Sequence, residues 1–230
     1  MLKVEPHPNY PPEEGRYLRG NDYSPVAVAI ILNCDADKIP ADLEQLIRVG
    51  LESGAALSGT VQTENIGFEK IICNIVANPN IRYLVLGGPE SDGHQTGLAM
   101  KALIDNGVDN RKRIIGVKAP HPVLFNLPLE FIERFRNQLE LIDVQFEGDP
   151  EIIRKAVWSC YQESPVAFRS YSLHDPGAYP AEPLSGQITW RVTQPWTEPY
   201  NEAEREALDK ARALIETLRK RSEQETSDDQ

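Results

Sequence analysis

The run Val26-Ala-Val-Ala-Ile-Ile-Leu32 is the strongest constraint in this chain: seven consecutive apolar residues with no polar alternation. A strand that alternated apolar with polar would need cover on one face only; this one needs cover on both. A transmembrane helix needs about 20 apolar residues, so the run is a buried strand and not a span. Helical and extended patterns then take turns. Residues 41–49 place Leu43, Leu46, Ile47 and Val49 near helical spacing after Pro40. A short strand is expected over 55–59, and a helix over 64–77 with Phe68, Ile71, Ile72, Ile75 and Val76 on one broad face. Ile81-Arg-Tyr-Leu-Val-Leu86 reads as the next strand and runs into Gly87-Gly88-Pro89. A helix over 94–106 turns Leu98, Ala102 and Leu103 inward and stops at Gly107. A strand at 114–117, a helix over 129–139 packed through Phe131, Ile132 and Phe135, a strand carrying Ile142, Val144 and Phe146, and a helix over 150–161 complete the series. Strands that alternate with helices of this length require crossovers. The expected fold is therefore α/β, a mainly parallel sheet with helices on both faces.

The flanks differ in texture. Residues 1–24 are rich in proline and polar groups and are expected to run extended over a surface. Residues 25–168 form the α/β domain, and 169–230 a C-terminal extension. In that extension Ile188, Trp190 and Val192 alternate as a short strand, and 201–221 is a charged helix. Its narrow stripe of Leu208, Ala211, Ile215 and Leu218 suits a coiled-coil seam, and so a homodimer, or docking on the same chain. The tail after Arg221 is acidic and expected to be disordered. With 24 basic and 35 acidic residues the net charge is −11, which disfavours nucleic acid and anionic lipid as partners. Three scattered cysteines (Cys34, Cys73, Cys160) make neither a disulfide framework nor a zinc CxxC pair. The N-terminus lacks the apolar core of a signal peptide, so a cytoplasmic protein without a membrane span is expected.

In an open parallel sheet the ligand site lies beyond the carboxyl ends of the strands. Four stretches are expected there: Asn33-Cys34-Asp35, Ser58-Gly59-Thr60, Gly87 to His94, and Lys118-Ala119-Pro120-His121. Gly87 and Gly88 directly after a strand let the backbone approach a ligand closely. Asp92-x-His94-x-x-Gly97 then combines an imidazole, a carboxylate suited to accept the ring's other N–H, and glycines at 93 and 97 over which a flat, bulky group can lie. The same residues also fit a plain helix start, with Asp92 capping and His94 facing water. One histidine makes no zinc site, but it suffices as the axial ligand of a macrocycle that brings its own equatorial nitrogens. Thr60, Thr63, Glu64 and Asn65 either touch a ligand or cap the following helix. Cys34 reads as a buried thiol at the same sheet edge and Cys73 as core; His121 lies in a rigid loop, and His7 and His174 carry no signal. No phosphate loop and no G-x-S-x-G elbow occurs.

Asp-x-His-x-x-Gly is the pattern by which cobalamin-dependent enzymes ligate cobalt from below. Tyr23-Ser-Pro-Val-Ala-Val28, Ser58-Gly59, Thr63-Glu-Asn-Ile-Gly67, Asn78-Pro-Asn-Ile-Arg82 and Gly93-His-Gln-Thr-Gly97 together resemble the MtrA family, the A-type subunits of tetrahydromethanopterin S-methyltransferase. Asn106-Gly-Val-Asp109, Ile114-Ile-Gly116, Asn126-Leu-Pro128 and Glu133-Arg-Phe135 continue the resemblance, which runs from about Tyr10 to Ala167. It implies a Rossmann-like domain that holds a cobamide (cobalamin or a related corrinoid), with His94 as the ligand to cobalt. It also implies methyl transfer: cob(I)amide takes a methyl from an N5-methyl-tetrahydropterin and passes it to a thiolate, with separate donor and acceptor proteins or subunits. Implied cofactor contacts are Ser58, Gly59, Thr60, Thr63, Glu64, Asn65, Gly87, Gly88, Asp92, Gly93, Thr96, Gly97, Ala119 and Pro120. Family members continue into a C-terminal membrane anchor, where this chain has a charged helix and acidic tail; a stand-alone soluble carrier is expected. The usual cobalamin fold also places its Ser and Gly-Gly elements after the histidine, whereas Ser58-Gly59 and Gly87-Gly88 precede His94. Two readings of other classes stand beside this one: a non-catalytic assembly protein acting through 201–221, and a pterin or nucleotide binder at the same sheet edge.

Overall fold

The computed structural model describes residues 3–33, 39–91 and 93–160. The expected strand at 188–192 and helix at 201–221 lie outside the described residues. A five-stranded sheet runs in the order β1 (Tyr17–Arg19), β3 (Leu57–Val61), β2 (Val26–Ile31), β4 (Tyr83–Gly88), β5 (Glu140–Gln145). All neighbours are parallel except β1, which pairs antiparallel with β3.

The apolar run does what its composition requires. Every residue of β2 is buried, and its two faces feed two cores. Ala27, Ala29 and Ile31 meet α2 (Ile66–Val76), α3 (Thr96–Asn106) and α4 (Leu129–Gln138) through Phe68, Ile72, Met100, Leu103, Ile132 and Phe135. Val26, Val28, Ile30 and Leu32 meet α1 (Ala41–Glu52) and α5 (Pro150–Cys160) through Leu43, Leu46, Ile47, Ile153 and Val157. Each of the Val, Leu, Ile, Phe and Met side chains contributes about 1.5–3 kcal/mol by leaving water. Gly50 lets α1 seat closely: a Cβ there would stand 2.7 Å from Ser58 Oγ and 3.0 Å from Val28 Cγ2.

Four sequence expectations need correction. Residues 114–117 form no strand; Ile114 makes one isolated antiparallel bridge to Val108, and Gly116 has φ 89°. The β4-to-β5 crossover therefore contains α3, a long loop over 107–128, and α4. Leu98 is 51% exposed, since it occupies the outer side of the first turn of α3. Phe146 lies past the end of β5, with φ 66° and 74% of its surface exposed. Residues 3–24 turn at 8–9 and 22–23 and supply β1, a strand too short to show periodicity. Side-chain amides fasten this segment. Asn74 exchanges two hydrogen bonds with the Glu13 backbone (2.8 and 3.0 Å), and Asn80 two with the Val4 backbone (3.0 and 2.6 Å).

After the edge strand β1, the parallel part of the sheet starts at its centre with β2, moves out to β3, then crosses back over β2 to β4. The connections leaving the carboxyl ends of β2 and β4 thus diverge, which opens a crevice at that edge.

Candidate functional site

β4 ends at Gly88, whose φ of 86° and 2.8 Å approach of a built Cβ to the Ile31 carbonyl admit only glycine without strain. The chain then turns through Glu90 and Ser91 into α3. Glu90 organises this turn: Oε1 accepts from the backbone N–H of Ser91 and Gly97 (both 2.8 Å), and Oε2 from that of Leu98 (3.1 Å). A carboxylate on these free N–H groups also suits the positive end of the helix dipole. His94 and Gln95 both donate N–H to the Ser91 carbonyl, at 3.1 and 2.9 Å, and Gln95 takes a left-handed φ of 50°. This tight turn sends the His94 ring toward the start of α2.

There it meets Glu64. The Glu64 side chain has no exposed surface, and its Oε2 stands 2.8 Å from His94 Nδ1. Its Oε1 accepts the backbone N–H of His121, also at 2.8 Å. Facing a carboxylate, which in its ionised form only accepts, Nδ1 is the ring nitrogen suited to donate, and in that tautomer of the neutral imidazole Nε2 carries no proton. The imidazole is 38% exposed, which leaves that nitrogen a route outward. Around Gly93 (φ 85°) a Cβ would meet nothing within 4 Å, so the backbone before the histidine borders open space.

The remaining expected residues divide by position. Thr63 Oγ1 accepts from Gly67 N (3.1 Å) and Asn65 Oδ1 from Ile66 N (2.7 Å), so both cap α2 beside Glu64. Thr96 is buried and donates to the Gln62 carbonyl at 2.7 Å, bracing α3 against the β3–α2 connection. Gly97 faces the Gln145 side chain: a Cβ there would fall 1.9 Å from Nε2. Ser58 is buried and donates to the Ile47 carbonyl at 2.7 Å, toward α1. Gly59 is covered by Tyr17 and the Arg16 carbonyl, and Thr60 N–H donates to that carbonyl at 2.9 Å. Gly87 is wedged between Ile153 and Ile30. Ala119 is buried in the core, while Pro120 is exposed beside His121. These two reach the site from the crossover loop, not from a strand end. Asp92 and Cys34 lie outside the described residues; Cys73 is core, as expected.

Sequence reading did not single out Glu90, and it left Glu64 as a cap or a ligand contact. An acid a few residues ahead of a helix start was the available signal for Glu90. Glu64 meets His94 across thirty residues of chain, and no local pattern carries that. A second buried acid anchors the same crossover loop: Glu69 accepts from Asn126 N–H and Nδ2, both at 2.8 Å. Among the described residues no three His, Cys, Asp or Glu converge as metal ligands.

A family profile for MtrA, the A-type subunit of tetrahydromethanopterin S-methyltransferase, matches residues 3–189. The chain belongs to the MtrA family. Among curated members, the second MtrA subunit of Methanobrevibacter ruminantium is 42% identical over 166 residues, which cover 72% of this chain and 80% of that protein. The second MtrA subunit of Methanothermobacter thermautotrophicus is 40% identical over 186 residues, 80% of this chain and 90% of that protein. With the first MtrA subunit of M. ruminantium the identity is 40% over 161 residues, 70% of this chain and 61% of that one. The Glu64–His94–His121 arrangement thus lies within the region matched to the MtrA family. No helix among the described residues is long and apolar enough to cross a membrane.

Proposed function

We propose that this MtrA family member is a corrinoid-dependent methyl carrier in which His94 Nε2 is the protein ligand to cobalt. One observation carries the reading: the buried Glu64 carboxylate stands 2.8 Å from Nδ1, placed to accept its hydrogen bond and leave the other nitrogen of this partly exposed ring as the donor to a metal. The donor set suits the group. A corrin brings four equatorial nitrogens, so a single imidazole suffices where no cluster of three ligands exists among the described residues. Open space beside Gly93 and the exposed Leu98 on the next turn suit a flat, largely apolar ligand.

When bound, the corrinoid supplies the centre that accepts and returns the methyl group. The chain's own residues fix the ring. Glu64 holds Nδ1–H, sets the tautomer and strengthens the free nitrogen as a donor. Glu64 is held in turn by the His121 N–H, so the carboxylate that would orient the ring is itself fixed. The relatives' name supports a methyl-tetrahydropterin as donor and a thiol as acceptor, and their being subunits supports separate donor and acceptor partners.

The test is an absorption spectrum after incubation with hydroxocobalamin and gel filtration, on wild type and His94→Ala in parallel. Co-eluting cobalamin whose spectrum changes in the variant is the expected result. Colourless protein in both samples would overturn the reading.

A further inference from the structure

Gln145, the last residue of β5, lies in register with Gly88. It is 9% exposed, and among the described residues neither Oε1 nor Nε2 has a hydrogen-bond partner. A buried carboxamide with donor and acceptor both idle is costly and uncommon in a folded chain. The amide rests on the bare Cα of Gly97, in the first turn of α3, where a Cβ would overlap it. It therefore borders the helix start that follows His94.

We propose that Gln145 is a specificity residue of this same site and pairs with a primary carboxamide on the rim of the bound ligand. The inference rests on the corrinoid reading above. A free carboxamide offers one acceptor and two N–H donors, and a second primary carboxamide satisfies an acceptor and a donor at once. The corrin rim carries such groups on short flexible chains. The rotatable bonds of Gln145 let its amide leave the Gly97 slot to meet one of them. A site that hydrogen-bonds a ligand amide discriminates strongly, because its own buried group is stranded when that amide is missing.

Full-length wild type, Gln145→Leu and Gln145→Met are titrated with hydroxocobalamin by absorbance, and the thermal midpoint of each cobalamin-free protein is recorded. Both variants are expected to bind about tenfold more weakly and to keep the His94-dependent spectrum. Their cobalamin-free midpoints are expected to equal or exceed that of wild type, since no stranded amide remains. Wild-type affinity in both variants would overturn this inference and leave the role of His94 intact. Lowered cobalamin-free midpoints in both would also overturn it, by showing that the amide serves the fold. Failure of wild type itself to bind hydroxocobalamin would overturn the corrinoid reading and this inference with it.

Discussion

Glu64 Oε2 stands 2.8 Å from His94 Nδ1, so a side chain with no exposed surface decides which nitrogen of a partly exposed ring is bare. Nitrogen-15 NMR of the ligand-free protein is expected to show His94 protonated at Nδ1. In Glu64→Ala the preference passes to Nε2, and hydroxocobalamin affinity falls about 10–100-fold, the range typical of lost outer-shell partners. An Nδ1–H tautomer that survives in Glu64→Ala would mean that something other than Glu64 fixes the ring.

Glu69 sets a pH dependence of defined sign. Burial pushes its carboxyl above the ordinary value of 4.5, against the opposing pull of the Asn126 hydrogen bonds. The folded chain therefore holds this proton to higher pH than the unfolded chain does. Its contribution is fully present below 4.5 and is lost as pH rises through the folded value. Urea unfolding at a series of pH values is expected to show wild type losing stability relative to Glu69→Gln as pH climbs out of the acid range. A constant difference between the two proteins would refute the assignment.

Gly59 is a structural glycine beneath β1. A Cβ there would come 2.4 Å from Tyr17 Cβ and 2.6 Å from the Arg16 carbonyl. Gly59→Ala is expected to cost about 1–3 kcal/mol, in line with other overpacked positions. It is also expected to speed amide exchange at Thr60, whose N–H donates to that carbonyl. Unchanged exchange at Thr60 would show that β1 accommodates the methyl group.

Phe146 holds a left-handed φ of 66° with 74% of its surface in water. Glycine removes the backbone penalty and forfeits little packing, so Phe146→Gly is expected to stabilise the chain by about 1 kcal/mol in thermal unfolding. A loss of stability would mean that the ring is anchored in a way its exposure does not show.

What the sequence revealed follows from where burial is local. The two-sided cover of β2 and the inward faces of α2 and α4 are written in runs and periods of neighbouring residues. Residues 114–117 look the same whether they join the main sheet or a local bridge, because only tertiary pairing separates the two outcomes. Leu98 stands four residues before Ala102, yet it faces outward, because Thr96, Ala99 and Met100 take the buried side of that end of α3. At the site, His94 could be singled out from its glycines and its place after a strand. The buried carboxylate behind it could not, since Glu64 sits in a capping sequence, Thr63-Glu64-Asn65, whose neighbours do cap α2. Gln145 carries no sequence signal; only the absence of partners marks it.

The N-terminal strap has a consequence of another kind. Residues 4–19 are held by the side-chain amides of Asn74 and Asn80, by the three-residue pairing of β1 and by Tyr10, whose ring is buried in the larger core. None of these bonds belongs to the parallel ladder, so the strap can open as a unit while β2, β3, β4 and β5 stay paired. Opening bares the outer side of β3, a row of unpaired N–H and C=O groups ready to template a strand from another molecule. Residues 3–19 thus guard against edge-to-edge aggregation, and a chain trimmed of that strap is the form expected to self-associate.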